Sequence, residues 1–397
     1  MVALQKYDLT IYGATGFTGR LAAKYVSTQY GSSIRWAIAG RSEAKLLELQ
    51  ATLGGVPGVV VADGDDDAAL AALVGGTKAV AALAGPFARY GSKLVGACVA
   101  GGVGYCDITG EVAWVREMVA KHDDDAKVTG AQIVHLCGHD SVPWDLSTLM
   151  LANKLKESGE SLSRVDFYDK LVGAPSGGTI ETMMGIIADP NSGRGTHAKA
   201  LGFDPLLKKS DGASAFETKD DSIGSFSTAG EHPRSLFVMA KVNGCAVKRS
   251  NALLGYGTKV TYSEGMQHAS ALGALAAFAQ MALGLLLLVF PPTRLLLRKF
   301  VLPAPGQGPS EEKMAKGFLH ITGVAKGDKG TIVKSLIKFH VDAGYKDTAR
   351  MVVESALALA LEPERIKSGG GVFTPACCQG EVLLERLCKT GSDFAYL

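Results

Sequence analysis

The sequence predicts an α/β protein that begins with a doubly wound parallel sheet. Two observations predict it. Short apolar segments of strand length alternate with helix-like runs through residues 1–145, a pattern typical of parallel strands joined by crossover helices. The first of these strands runs directly into a turn with glycines at 13, 16 and 19, which then opens a helix. Four later segments of strand length predict a second sheet.

The turn after the first strand has the spacing of a phosphate-binding loop. It consists of Gly13, Ala14, Thr15, Gly16, Phe17, Thr18 and Gly19. Gly13 permits the tight turn, Gly16 lets the backbone approach a pyrophosphate, and Gly19 lets the helix pack closely on the strand. Because the first N–H groups of a helix have no helical partner, the segment is predicted to bind a dinucleotide, with hydroxyl donors from the two threonines.

The end of the second strand indicates which dinucleotide is preferred. An enzyme that uses NAD carries an acid there to hold the ribose 2′-hydroxyl. This chain instead has Arg41 and Ser42, with Lys45 one turn further on. Two cations and a hydroxyl suit a 2′-phosphate, so these residues favour NADP(H) over NAD(H).

The loops after the third and fourth strands are expected to line the same edge of the sheet. Asp63 is placed to accept a hydrogen bond from the adenine amino group, whereas the acidic run 65–67 favours a helix cap. Gly85 and Pro86 end the fourth strand and are expected to line the nicotinamide ribose. Tyr90 is a candidate proton donor, with packing or recognition as the alternative role.

Two further strand ends carry polar side chains that suit general acid–base chemistry. Asp107 follows one strand, and His139 and Asp140 follow the next. Histidine titrates near neutral pH, and burial can tune the pKa of a carboxyl group. The alternative is structural, since Asp107 or Asp140 would also cap the following helix.

Several of these motifs together resemble the saccharopine dehydrogenase-like oxidoreductase family, which includes the mycobacterial trans-acting enoyl reductases. The matching segments are 13–19, 39–41, 106–111, 138–143, 176–179, 253–257, 344–345, 348–349 and 371–375. The resemblance covers nearly the whole chain. It departs from the family at 341–345, where Ala343 replaces the proline of a tight turn.

The resemblance implies a domain arrangement. It implies a Rossmann-type NADP(H)-binding domain at 1–145, an inserted α+β second domain at 146–345 built on a mostly antiparallel sheet, and C-terminal helices at 346–397 that return to the first domain. Within the second region, the segments 165–172, 235–241, 318–324 and 331–337 are predicted strands, and 191–227 is predicted to be a loop. A helix is predicted over 348–361.

Composition excludes several classes of function. The chain has 397 residues and a formal net charge of +2 with dispersed basic residues, which gives no basis for binding nucleic acid. Its seven cysteines lack metal-ligand or disulfide spacing, so no metal site is expected. No leader pattern precedes the first strand, and the chain is expected to start in the cytosol.

An apolar segment at 269–302 interrupts the second region. Residues 269–290 carry no charged side chain, and Pro291 and Pro292 follow. A single crossing of a bilayer would separate strands of one sheet, so a simple span is rejected. Membrane or lipid-monolayer contact by a hairpin or in-plane helix is predicted, and a buried helix is the alternative. The predicted location is the cytoplasmic face of a membrane or a lipid droplet.

These features predict an NADPH-dependent oxidoreductase that reduces an apolar small molecule, with an enoyl or carbonyl group as the acceptor. Two alternatives stay open. One is a membrane-associated protein that binds the nucleotide without turnover. The other is amino-acid chemistry of the saccharopine type, which requires cations that converge on substrate carboxylates, with Arg164, Arg194, Arg234 and Arg249 available. A homodimer also stays open.

Overall fold

The chain divides into two compact units. Unit 1 comprises Met1–Val142 and Ala343–Thr390, and unit 2 comprises Pro143–Asp342 and Gly391–Leu397. The computed structural model describes residues 6–139, 141–173, 215–222, 226–227, 232–300, 308–367 and 369–397. Asp140, Arg194, the segment 176–179 and most of the predicted loop 191–227 lie outside the described residues.

The four longest strands lie in unit 2. In chain order they are β1 (Tyr7–Tyr12), β2 (Trp36–Gly40), β3 (Gly58–Val61), β4 (Thr77–Ala82), β5 (Gly104–Asp107), β6 (Gln132–Val134), β7 (Leu162–Val172), β8 (Glu217–Asp220), β9 (Arg234–Ser235), β10 (Lys259–Gln267), β11 (Phe318–Gly327), β12 (Ile332–Phe339), β13 (Gly371–Phe373) and β14 (Ser392–Tyr396).

The helices connect these strands. In chain order they are α1 (Phe17–Gln29), α2 (Glu43–Thr52), α3 (Asp67–Gly75), α4 (Phe87–Tyr90), α5 (Ser92–Gly101), α6 (Val112–Thr129), α7 (Val142–Glu157), α8 (Ala240–Leu254), α9 (Ala271–Val289), α10 (Pro291–Phe300), α11 (Glu311–Ala315), α12 (Thr348–Leu361), α13 (Pro375–Cys378) and α14 (Gly380–Lys389). A π-helical turn, Ala343–Asp347, precedes α12.

Unit 1 is built on sheet A, in which every pairing is parallel. Its strand order is β13-β6-β5-β4-β1-β2-β3. The chain adds strands outward from β1 in one direction and from β4 in the other, so the switch point lies between these two central strands. The predicted doubly wound parallel sheet is confirmed.

Local sequence signals explain the helices of unit 1. The acidic run acts as a cap, because the Asp66 carboxylate accepts hydrogen bonds from the backbone N–H groups of Ala68 and Ala69 at 3.0 Å. The helix α12 has the predicted bounds, and its side chains from Thr348 to Ala360 are all buried. It therefore serves as a core helix against sheet A, where it contacts β1, β4 and β5.

Unit 2 is built on sheet B, which is mixed, with four antiparallel and two parallel pairings between its named strands, so the predicted mostly antiparallel sheet is confirmed. Its order is β14-β12-β11-β7-β10-β8. The first four strands pair in antiparallel fashion, whereas β10 is parallel to both β7 and β8. The strand β14 forms the edge next to β12, so the segment predicted at 346–397 divides, with its helices in unit 1 and its last strand in unit 2.

One predicted strand is wrong. The apolar segment 235–241 contributes only Ser235 to a strand, and α8 begins at Ala240. A short apolar run has no periodicity that separates a strand from the start of a buried helix. The later residues of α8, including the buried Asn243 and Val247, continue the helical spacing.

The core of unit 2 holds two carboxyl groups that are shielded from solvent. Asp169 on β7 and Glu264 on β10 are both fully buried. Trp144 Nε1 donates to Asp169 Oδ1 at 3.2 Å, while the Tyr262 hydroxyl and Asn243 Nδ2 donate to Glu264 at 2.5 and 2.9 Å. Because burial disfavours the ionised form, the pKa of Asp169 is raised to about 8 and that of Glu264 is also raised. Burial therefore favours the protonated form of both carboxyl groups.

Replacing Asp169 should change how stability depends on pH. An acid whose folded pKa exceeds its unfolded value contributes stability that is complete below the unfolded pKa, here 3.8, and is lost as the pH rises through about 8. Asp169→Asn cannot ionise, so it should flatten this loss, by on the order of 1–3 kcal/mol between pH ~5 and pH ~8. Calorimetric unfolding at the two pH values measures the effect.

The matched control is Asp124→Asn, whose side chain is exposed in unit 1. It should leave the pH dependence of the unfolding temperature unchanged. An Asp169→Asn protein with the same pH dependence as the parent would contradict the raised pKa of Asp169.

Candidate functional site

The glycine turn joins β1 to α1 with a geometry that only glycine allows at two positions. Gly13 has φ +80°, and a Cβ there would lie 2.8 Å from the backbone nitrogen of Ala84. A Cβ at Gly19 would lie 2.2 Å from the carbonyl oxygen of Gly13. The turn is fixed to the neighbouring strand, because the N–H groups of Gly13 and Ala14 donate to the carbonyl of Ala39 at 2.9 and 3.2 Å. These contacts hold α1 close to β1.

Gly16 has a different environment, which suits a ligand. It is exposed, it forms the N-cap of α1, and a Cβ there would approach only the Gly13 carbonyl oxygen, at 3.3 Å. No acid lies in the first turn of α1. The neighbouring Thr15 and Thr18 are half-buried. The N-terminus of α1 can therefore receive an anionic group with its backbone N–H groups and the positive end of its dipole.

The C-terminal part of unit 1 supports this turn from the side. The ring of Phe17 packs edge-to-face against the ring of Tyr345, with centroids 5.5 Å apart. Tyr345 lies in the π-helical turn before α12 and is buried. The contact links the segment at 341–345, which departs from the family pattern, to the first helical residue after the glycine turn.

The loop after β2 brings together the three residues predicted to choose the cofactor. Arg41 and Lys45 are exposed, and neither has an ion-pair partner among the residues that the structure describes. Ser42 is the N-cap of α2, and its side chain makes no capping hydrogen bond. Glu43 adds one acid to the first turn of α2. The loop thus offers two cations, a hydroxyl and a helix N-terminus to a phosphate.

The loop after β3 lies beside the end of β1. Asp63 is exposed, and its carboxylate accepts a hydrogen bond from the N–H of Asp65 at 3.0 Å. The buried Tyr12 lies near this loop, since a Cβ at Gly64 would be 3.1 Å from the Tyr12 hydroxyl. Burial and the charges of Asp63 and Asp65 raise the pKa of Tyr12, which therefore stays neutral. Asp63 is thus a turn-forming residue that keeps an exposed carboxylate.

The loop after β4 forms the short helix α4. Gly85 and Pro86 are exposed at its start. The Glu111 carboxylate accepts hydrogen bonds from the N–H groups of Phe87 and Ala88, at 2.7 and 3.0 Å, and so caps the turn. This cap ties the loop after β5 to the loop after β4.

Tyr90 lies at the other end of α4. It is 38% exposed, and the guanidinium of Arg89 lies 5.1 Å from its ring centroid. A Cβ at Gly64 would be 3.7 Å from the Tyr90 carbonyl oxygen. The backbone of Tyr90 therefore borders the loop after β3, and both roles of its side chain stay predictions.

Asp107 has no surface from which to act as an acid or a base. It is fully buried at the end of β5. Its carboxylate contacts His135 Nδ1 at 2.7 Å and accepts from the Tyr105 hydroxyl at 3.1 Å, as well as from the N–H groups of Thr109 and Leu136 at 3.2 and 3.3 Å. These bonds connect the ends of β5 and β6. Asp107 is therefore a positioning residue, and the predicted acid–base role does not fit its surroundings.

An aromatic cluster that sequence patterns did not identify lies around His135. Its ring packs edge-to-face on Trp114, with centroids 5.1 Å apart, and on Tyr105 at 5.8 Å. Trp114 in turn stacks on Phe87 of α4 at 5.8 Å. Tyr105 and Asp107 lie two residues apart on one face of β5, which is the only sequence signal for their contact. The cluster packs Phe87, which lies in the loop after β4, against Trp114 and His135.

The loop after β6 is buried and has unusual backbone angles. Leu136 has φ 66° and Ser141 has φ 149°, both in the region that favours glycine. His139 is buried, and its N–H donates to Thr348 Oγ1 at 2.9 Å, which itself donates to the Ala343 carbonyl at 2.9 Å. The structure thus places His139 against the start of α12. Asp140, its predicted partner, lies outside the described residues.

Known proteins match this sequence over nearly the full chain. A trans-acting enoyl reductase from Mycobacterium leprae is 34% identical over 423 residues, which covers 98% of this chain and 97% of that protein. A trans-acting enoyl reductase from Mycobacterium tuberculosis is 33% identical over 425 residues, with coverage of 98% and 97%. No family model matches the chain.

Among solved structures, the chain is similar to saccharopine dehydrogenase (L-Glu forming) from Saccharomyces cerevisiae. The TM-score is 0.49 at 13% identity, over 98% of this chain and 99% of that one. The full-length relatives above 30% identity decide the assignment. The chain belongs to the family of the trans-acting enoyl reductases, which its motifs resemble.

Proposed function

We propose that this protein is an NADPH-dependent enoyl reductase that acts on an apolar acyl substrate. The observation that carries the proposal is the full-length similarity to relatives named as trans-acting enoyl reductases. The glycine turn and the loops around it support it, because they retain the groups that a dinucleotide needs.

The turn fits a nicotinamide dinucleotide at its pyrophosphate. Gly16 leaves open the space above the N-terminus of α1, whereas Gly13 and Gly19 are occupied in holding the turn itself. The backbone N–H groups at 16–18 would hold the pyrophosphate. When bound, the reduced nicotinamide supplies a hydride, and an enoyl group takes up that hydride and a proton to become a saturated acyl group.

The loop after β2 supports NADP(H) over NAD(H). Arg41 and Lys45 would bind a ribose 2′-phosphate, and Ser42 would donate its hydroxyl to the same group. The acid at Glu43 lies one residue beyond Ser42, at the start of α2. An NAD-dependent enzyme would place an acid at the end of β2 itself, where this chain has Gly40 and Arg41.

The contacts within unit 2 disfavour saccharopine-type chemistry. Arg164 donates to both carboxylate oxygens of Asp166 at 2.7 Å, and Arg234 lies 3.8 Å from the same carboxylate. Arg234 also stacks on Tyr168, at 4.7 Å from the ring centroid. Arg164, one of the arginines that were candidates for a substrate carboxylate, is therefore paired with an internal acid, whereas Arg234 makes no hydrogen bond to that acid.

Turnover tests the proposal directly. The purified full chain should oxidise NADPH in the presence of an enoyl thioester of coenzyme A, and more efficiently with a long acyl chain than with a short one. Mass spectrometry should show that the product has gained two hydrogen atoms. Oxidation of saccharopine with NADP⁺, without reduction of any enoyl thioester, would contradict the proposal.

Substitutions at two glycines should separate binding from folding. Gly16→Val places a branched side chain where the pyrophosphate would lie, so NADPH affinity should fall by about 100-fold or more while the unfolding temperature changes little. Gly19→Ala is the matched comparison. Its Cβ meets the Gly13 carbonyl, so it should destabilise the fold by about 2–4 kcal/mol.

Fluorescence titration with NADPH and calorimetric unfolding measure the two effects. If Gly16→Val bound NADPH as tightly as the parent, the pyrophosphate would have to lie elsewhere. If Gly19→Ala were as stable as the parent, the close packing of α1 on β1 would be wrong.

A further inference from the structure

The helices α9 and α10 expose an apolar surface that sheet B does not cover. By length and composition, α9 is the helix that could cross a membrane among the residues that the structure describes. Only 6% of its apolar stretch is buried, so the alternative of a core helix does not fit. Leu272 is 75% exposed, Leu286 is 64% exposed, and Leu295 on α10 is 68% exposed.

The exposed positions of α9 form a stripe. Five large apolar side chains are each at least half exposed: Leu272, Leu275, Leu283, Leu286 and Val289. They are separated by three residues or, in one case, by eight, so they lie on one face of the helix. Exposure of so many large apolar side chains in water is unfavourable, by about 25 cal/mol for each Å². A contiguous patch of this kind marks an interaction surface.

A break in the helical backbone separates α9 from α10. Phe290 is extended, and Pro291 and Pro292 begin α10. Thr293 Oγ1 donates to the carbonyl oxygens of Leu287 and Phe290, at 2.5 and 3.0 Å, which satisfies the end of α9. These bonds stabilise the junction of the two helices, which together are called the hairpin because the chain leaves sheet B before them and rejoins it after them.

Sheet topology decides how this hairpin can meet a lipid phase. The strand β10 precedes the hairpin and β11 follows it, and both pair with β7. The two ends therefore lie on the same side of any membrane. The helix α9 has 19 residues and would be about 28 Å long, but α10 has 10 residues and would return only about 15 Å. The hairpin is too asymmetric to cross and return, so it would enter one leaflet.

Charge in the same segment indicates the lipid. Between Ala269 and Ser310 the sequence contains Arg294, Arg298 and Lys299 and no carboxylate. All three residues lie within the bounds of α10, and in the sequence they flank Leu295, Leu296 and Leu297. A basic segment beside an apolar one is attracted to anionic headgroups, by about 1 kcal/mol for each cation near the surface.

From these observations we propose that α9 and α10 form a monotopic membrane anchor that inserts into one leaflet of an anionic phospholipid bilayer. The exposed leucines enter the acyl region, and the three cations of α10 contact the headgroups. The proposal does not rest on turnover. It would bring unit 2 to a surface at which apolar acyl substrates are concentrated.

Flotation with vesicles tests the anchor in the full-length protein. The parent should float with vesicles of phosphatidylcholine and phosphatidylserine, and less with phosphatidylcholine alone. Leu283→Ser/Leu286→Ser/Leu295→Ser should lower binding by about 100-fold, because each leucine is more than half exposed and its replacement leaves no buried cavity. Arg294→Gln/Arg298→Gln/Lys299→Gln should remove the preference for anionic vesicles.

The control variant makes the same kind of change elsewhere. Leu47→Ser/Val56→Ser/Val128→Ser alters exposed apolar residues of unit 1 and should float like the parent. Three results would overturn the proposal: a parent that does not float with anionic vesicles, a parent that floats only with triacylglycerol droplets, or a parent dimer that the leucine variant converts to a monomer without any vesicle binding. Circular dichroism of each variant excludes unfolding as the cause of lost binding.

Discussion

The close approach of α1 to β1 is the contact on which the geometry of unit 1 depends. A Cβ at Gly19 would lie 2.2 Å from the Gly13 carbonyl oxygen, which is far inside contact distance. Only this approach directs the N-terminus of α1 to the edge at which the parallel strands end. The loops after β2, β3 and β4 reach the same edge because their strands are parallel neighbours of β1 or of each other. The close packing at Gly19 and the parallel pairing of the strands therefore bring the N-terminus of α1 and these three loops to one edge of sheet A.

A second layer of contacts keeps that edge rigid, and it explains the motif at 106–111. Asp107 joins the ends of β5 and β6 through His135 and two backbone N–H groups. Thr109 Oγ1 accepts from the Glu111 N–H at 3.0 Å, and Glu111 caps α4. These carboxylates, which resemble acid–base residues in the sequence, hold the loops that would surround a ligand. Both carboxylates accept hydrogen bonds from backbone N–H groups of these loops.

The sequence predicts unit 1 better than unit 2, for a physical reason. Parallel strands buried on both faces and a glycine turn leave strong local patterns, and α12 has the predicted bounds. Contacts between distant residues leave no such pattern. The partner of Asp107 lies 28 positions away, and Glu264 accepts a hydrogen bond from Asn243, which lies 21 positions away. The segment 235–241 is wrongly predicted to be a strand because an apolar run this short does not show whether its side chains repeat with the period of a strand or of a helix.

The central claim is that unit 1 binds a dinucleotide by its pyrophosphate at α1 and by its 2′-phosphate at Arg41 and Ser42. Calorimetric titration of NADPH and NADH into the parent and into Arg41→Asp tests it most directly. The account predicts that the parent prefers NADPH and that the variant loses roughly one to two decades of NADPH affinity, since a charge-assisted bond contributes on the order of 1.5–3 kcal/mol. Equal affinity of the parent for the two nucleotides would contradict it.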